Sequence, residues 1–149
     1  MLRGELKWLS VCVFDVDNFK TINDQYGHAS GDALLTRITS IIKENIRQSD
    51  CIARLGGDEF VILFTDTQDE NHAPAIVERI RLHVANAQFG EGEVAYNASC
   101  SFGIVSVTPD QLTLNDLPNQ MLSSADEALY SAKHKGKNAV GIATLTDLS

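Results

Sequence analysis

The segment Arg54-Leu55-Gly56-Gly57-Asp58-Glu59-Phe60 constrains the fold most tightly, because it sets two adjacent glycines and two adjacent carboxylates between two short apolar runs. Cys51 to Leu55 before it and Phe60 to Phe64 after it are rich in β-branched and aromatic residues, so the glycines mark the reversal of a β-hairpin. Glycine also lets a backbone approach a ligand with no Cβ in the way. Asp58 and Glu59 then share an exposed tip, where like charges repel unless a cation or a donor sits between them. Many hairpins carry Gly and Asp purely as turn residues, and composition alone leaves both readings open.

A second acidic cluster favours the cation. Leu9 to Phe14 reads as a buried strand and runs directly into Asp15-Val16-Asp17-Asn18-Phe19-Lys20, so these carboxylates face the rim of a sheet. Asp17 or Asn18 can also cap the following helix, a role that coexists with the first. If the first strand lies beside the hairpin, Asp15 and Asp58 converge on hard divalent cations, the oxygen-ligand chemistry that Mg²⁺ prefers when it also binds phosphate.

Apolar spacing predicts the remaining elements. A short helix covers Asp17 to Tyr26 and stops at Gly27. Asp32 caps or opens a longer helix to Arg47, with Leu34, Leu35, Ile38, Ile41, Ile42 and Ile46 on its core face. After the hairpin come a helix over 73–87, an edge segment at Val94 and a strand over 96–107. The stretch 109–119 reads as loop. A last helix runs from Leu117 or Pro118 to Lys135, stopped by Gly136, and a strand over 139–143 closes the chain. The order implies an α+β fold, a mixed, mostly antiparallel central sheet with helices on both faces.

At 149 residues and 44% apolar composition the chain has material for one domain over 1–149 with a sizeable core. Its net charge of −8 argues against a nucleic-acid partner, because phosphate backbones are held by clustered Lys and Arg. A nucleotide must therefore arrive with its own counterions. No run approaches the roughly 20 apolar residues of a membrane helix, and no secretory pattern opens the chain, so this piece is expected to make no membrane contact. Cys12, Cys51 and Cys100 are read as reduced core residues, their odd number and wide spacing fitting neither disulfides nor zinc, which implies a cytoplasmic location.

The chain resembles a GGDEF domain of the diguanylate cyclase family in five ordered blocks over about nine tenths of its length. These are Asp15 through Asp24; Tyr26-Gly27-His28 with Gly31-Asp32; Arg54 through Phe60; Ser101-Phe102-Gly103; and Ala125 through Lys133 leading to Gly136-Lys137-Asn138. The resemblance implies a palm-like, ferredoxin-like nucleotidyl cyclase fold. It also implies condensation of two GTP into cyclic di-GMP with release of two pyrophosphates, at a homodimer interface with two Mg²⁺ (or Mn²⁺) per site. In that pattern Asp15, the Val16 carbonyl and Asp58 hold metal, and Glu59 assists the metal or deprotonates the attacking 3′-hydroxyl. Phe19, Lys20, Gly56 and Gly57 border the phosphates, and Asn23 and Asp32 read the guanine edge. Lys133 reaches the terminal phosphates, and Lys137, also a GTP-binding residue, stands where the family often has arginine and so keeps the charge without the fork. Arg47 and Asp50 match a product-binding Arg-x-x-Asp signature for feedback inhibition, with Arg79 as an accessory contact.

The family domain usually begins with an upstream helix bearing a Leu-Thr-Gly-Leu-x-Asn-Arg segment, absent here, so the chain reads as a fragment of reduced activity. The same pattern implies an upstream sensory or dimerisation domain in a longer protein that can be membrane-attached. Two other functions compete: a module that binds GTP or cyclic di-GMP without turnover, and a cyclase making a cyclic mononucleotide. The intact pair Asp58-Glu59 argues against the first, and Asn23 with Asp32 disfavours adenine in the second.

Overall fold

The computed structural model describes residues 7–113 and 115–145. Five strands form one sheet in the order β2-β3-β1-β4-β5, with β1 at Trp8–Val16, β2 at Cys51–Gly56, β3 at Glu59–Thr67, β4 at Cys100–Val107 and β5 at Val140–Thr144. All pairings are antiparallel except β4 with β5. The mixed, mostly antiparallel sheet expected from the sequence is therefore present. The first strand is central, with partners along both edges, so the acidic run at its end emerges in the middle of one rim.

Alternation along the strands separates two cores. Cys12, Phe14, Ile62, Phe64, Phe102 and Ile104 face one layer of helices, α1 (Phe19–Tyr26), α2 (His28–Asn45) and α3 (His72–Asn86). The other face, with Val11, Val13, Val105 and Val107, is covered by α4 (Leu117–His134) through Leu117, Met121, Ala125 and Leu129. Phe14 stacks on Phe60 and tilts against Phe102, each at 5.2 Å between ring centres, which locks β1 between its two neighbours just below the rim.

Several expectations are corrected. The second helix begins at His28, four residues before Asp32, because Gly27 at φ 94° ends α1 and starts α2 with no intervening loop. The strand expected over 96–107 begins at Cys100, and Tyr96 instead makes an isolated bridge with Phe89. Val94, expected on an edge strand, lies in a short 3-10 turn, and part of the expected loop after Thr108 is a 3-10 turn over Pro109–Thr113. Neither Asp17 nor Asn18 caps α1: Asn18 sits at the cap position in a left-handed conformation, with no side-chain bond to the helix. Cys51 is exposed, on the outer strand of the sheet, whereas Cys12 and Cys100 are buried as expected. No helix among the described residues is long and apolar enough to cross a membrane.

Helix α4 lies very close to the sheet. A Cβ on Gly103 would overlap the Ala125 carbonyl oxygen and the Leu129 amide nitrogen, both backbone atoms that cannot turn aside. Gly103→Ala is expected to destabilise the fold by about 1–3 kcal/mol, the usual cost of overpacking a core. Thermal denaturation checks this, and an unchanged melting temperature would show that α4 has room to shift.

Candidate active site

The rim formed by the end of β1 and the β2–β3 turn gathers most of the predicted chemistry. Asp15 lies opposite Glu59 across the β1–β3 ladder and opposite Ser101 across the β1–β4 ladder. Gly57 and Asp58 form the tip between β2 and β3. Gly56 (φ 151°) and Gly57 (φ 55°) both adopt positive φ, so the turn depends on residues without a Cβ. Arg54 braces this tip: its Nε donates to the Gly57 carbonyl at 2.7 Å, and its guanidinium lies 6.0 Å from the centre of the Phe60 ring. That brace was not singled out from the sequence, where Arg54 served only as part of a pattern.

Asp15 is 7% exposed. Lys133, on the last turns of α4, reaches across the rim to its Oδ2, while Oδ1 is buried with no partner. Burial is the largest influence on the Asp15 carboxyl and pushes its pKa up; the Lys133 ammonium works against this, and the charges of Asp58 and Asp17 add to the rise. Asp58 is thus near enough for its charge to oppose the ionisation of Asp15. A partnerless carboxylate oxygen beside a second carboxylate fits a hard cation, and the lysine ammonium occupies part of that electrostatic role. No group of three or more acidic, His or Cys side chains converges among the described residues. Two carboxylates and a backbone carbonyl suit a cation whose other ligands are water and phosphate, as is usual for Mg²⁺.

A second part of the site lies between α1 and α2. Asn23 projects from α1 toward Gly31, where a Cβ would overlap its Oδ1, and that oxygen is buried without a partner. Gly31 therefore makes the space in which Asn23 presents an acceptor. Asp32, the next residue, is exposed and lines a cleft of about 400 Å³ with Leu35, Thr39, Lys43, Arg54 and Phe60. Phe19 and Lys20 open α1, where backbone N–H groups lack helical partners and favour an anion. Lys137, in the loop after α4, donates from Nζ to Asn18 Oδ1 at 2.7 Å, which sets it beside the start of α1.

Arg47, Asp50 and Arg79 lie elsewhere, beyond the far end of α2. Asp50 is buried and accepts from the Arg47 amide at 2.9 Å and the Thr65 amide at 3.0 Å. The Arg47 guanidinium lies 3.5 Å from Asp50 Oδ2 and also donates to the Thr65 carbonyl, and its side chain is 46% exposed. Arg79 donates to Asn45 Oδ1 at 2.8 Å and to the Asn45 carbonyl at 3.1 Å, closing the end of α2. Arg47 and Asp50 line a shallow hollow of about 360 Å³ with Lys43 and Ile52.

The rim thus sets carboxylates of neighbouring strands opposite one another with a lysine reaching across it, and a buried acceptor lies beside Gly31. The family model described as diguanylate cyclase, GGDEF domain, matches residues 3–139, and the chain belongs to that family. It is 39% identical over 130 residues to the probable diguanylate cyclase DgcT of Escherichia coli K12, an alignment covering 87% of this chain and 28% of that protein. The structure of the active GGEEF domain of a diguanylate cyclase from Vibrio cholerae superposes with a TM-score of 0.82 at 31% identity, covering 92% of this chain and 83% of that one. The GGDEF domain of DgcB from Caulobacter crescentus, solved in complex with c-di-GMP, superposes with a TM-score of 0.80 at 26% identity, covering 91% of this chain and 77% of that one.

The raised pKa of Asp15 has a consequence for stability. A carboxyl whose pKa is higher folded than unfolded adds stability below its unfolded value, and that contribution is lost as pH rises through the folded value. At neutral pH, above the ordinary carboxylate range, keeping Asp15 in the fold therefore costs stability. In the presence of a chelator, Asp15→Asn is expected to melt at a higher temperature than the parent at pH 7, with the difference shrinking in acid. A variant that melts lower at pH 7 would contradict this.

Proposed function

We propose that the chain is the catalytic part of a diguanylate cyclase, condensing two GTP into cyclic di-GMP and two pyrophosphates. The observation that carries this reading is the rim itself, where the partnerless buried oxygen of Asp15 meets the charge of Asp58 under the ammonium of Lys133. Its support is strengthened by family membership and by the DgcB domain's complex with c-di-GMP.

In this reading Asp15, Asp58 and the Val16 carbonyl hold Mg²⁺, or Mn²⁺ in its place, which when bound neutralises the triphosphate and makes the 3′-hydroxyl more acidic. Lys133, which pairs with Asp15 here, would turn to the terminal phosphates of a bound triphosphate. The free amides at Phe19 and Lys20, with Lys137 beside them, receive the phosphate chain, and Gly56 and Gly57 keep the hairpin backbone clear of it. Asn23 accepts from a guanine N–H, and Asp32 accepts from guanine N1 and N2; adenine offers a reversed pattern and is disfavoured. Glu59, opposite Asp15 in the ladder, supports the metal site or takes the 3′-hydroxyl proton. Each 3′-oxygen then attacks the α-phosphorus of the other nucleotide, and each pyrophosphate leaves from the opposite side. Since one rim holds one GTP, closure of the ring requires two copies of the chain facing each other.

Product analysis tests this directly. Incubated with GTP and Mg²⁺ at high protein concentration, the parent chain is expected to yield cyclic di-GMP. Asp58→Ala is expected to lose about a hundredfold or more of the rate, the scale on which removing a group that stabilises developing charge acts. Cyclic GMP as product, or GTP binding with no turnover by the parent, would overturn the proposal.

Arg47, Asp50 and Arg79 are proposed to bind the product as a brake. Asp50 already satisfies two backbone amides, so its removal would disturb the start of β2 as well as any ligand. Arg47, nearly half exposed, is the cleaner probe. Arg47→Ala is expected to raise activity at high product concentration, and an unchanged product-inhibition curve would remove Arg47 from the regulatory role.

A further inference from the structure

Asp17 is buried and takes no part in the chemistry above, yet three donors converge on its carboxylate. Ser101 Oγ donates to Oδ1 at 2.6 Å, Ser99 Oγ to Oδ2 at 2.6 Å, and the backbone N–H of Asn138 to Oδ2 at 2.9 Å. Asn138 is held from its other side as well. Arg81 of α3 donates from one terminal nitrogen to the Asn138 carbonyl at 3.2 Å and to its Oδ1 at 3.0 Å. Glu78, one turn earlier on α3, fixes that guanidinium through bonds of 2.5 and 2.8 Å, and the Arg81 side chain is only 17% exposed. The hydrogen bond from Arg81 also lowers the Glu78 carboxyl from its usual value, which favours the charged pair.

The loop so gripped is a strained one. Lys137 (φ 66°) and Asn138 (φ 45°) are consecutive non-glycine residues in the left-handed region, a conformation that persists only where surroundings over-determine it. Its geometry also decides where the Lys137 ammonium reaches, beside Asn18 at the start of α1. A lysine has no planar fork to orient itself on a phosphate, and it carries much rotamer freedom, so its aim depends on a fixed backbone.

We propose that Arg81 and Asp17, gripping Asn138 from opposite sides, are positioning residues that aim Lys137 at the terminal phosphates and so set the preference for a nucleoside triphosphate over a diphosphate. This rests on Lys137 being a phosphate contact, as in the function proposed above. Neither Arg81 nor Asp17 touches the nucleotide; both act through the loop.

The test compares binding of 3′-deoxy-GTP, which lacks the attacking hydroxyl, with that of 3′-deoxy-GDP, by calorimetry in Mg²⁺. Lys137→Ala and Arg81→Ala are each expected to lower the triphosphate-to-diphosphate preference by about tenfold, the worth of one hydrogen bond to a charged group. The double variant is expected to lose no more than either single one, since both changes remove one interaction. Arg81→Lys, which keeps a donor at Asn138, is expected to recover part of the preference. A merely structural role for Arg81 would weaken both nucleotides alike, and that result, like independent losses that add in the double variant, would overturn the proposal. Failure of the parent to bind either nucleotide would overturn the functional reading with it, whereas tight binding with an unchanged preference in Arg81→Ala would overturn the grip alone.

Discussion

A carboxylate at the end of the central strand has nowhere to go. Asp15 is flanked by β3 and β4, roofed by α4, and almost removed from solvent, so its charge must be met from within the molecule or from a ligand. Lys133 meets it on one side; the other oxygen is left unmet. Burial that leaves an acceptor unpartnered is costly, and such strain concentrates where a site is prepared for something it has yet to bind. The rest of the rim is arranged around this requirement. The β2–β3 turn brings Asp58 alongside, the stacked rings of Phe14 and Phe60 fix the spacing beneath, and Arg54 holds the turn closed.

The same logic recurs at Asn23, whose carbonyl oxygen lies in the slot that Gly31 leaves open. Two unmet acceptors on one strand–helix unit, one suited to a cation and one to a polar N–H, are what the proposed nucleotide site requires. Asp17 presents the contrast. It lies two residues from Asp15 and is equally buried, but every oxygen is satisfied, which marks it as a tie between β4 and the loop after α4 and not as a ligand site.

Much of this was legible in the sequence because the informative patterns are local. Two glycines followed by carboxylates between β-rich runs specify a hairpin, and the helical recurrence of Leu34, Leu35, Ile38 and Ile42 specifies a core face. What was missed depends on tertiary neighbours. Cys51 sits in an apolar run, yet it lies on the outermost strand, and only the sheet order reveals that nothing covers it. Asp17 looks like a helix cap because the hydroxyls that claim it, Ser99 and Ser101, are more than eighty residues away. Asp32 resembles the start of a helix, but a single glycine at φ 94° turns the chain from α1 into α2 four residues earlier. Arg81 carried no signal at all, since an arginine on a helix ordinarily reads as a solvated face.

A crystal structure of the chain with 3′-deoxy-GTP and Mg²⁺ is the most direct examination of the rim. The expected result is a cation between Asp15, Asp58 and the Val16 carbonyl, the Lys133 ammonium transferred from Asp15 to a phosphate, and the guanine edge on Asn23 and Asp32. A nucleotide bound elsewhere, with Lys133 still on Asp15 and no cation at Oδ1, would contradict the assignment of this rim as the site of chemistry.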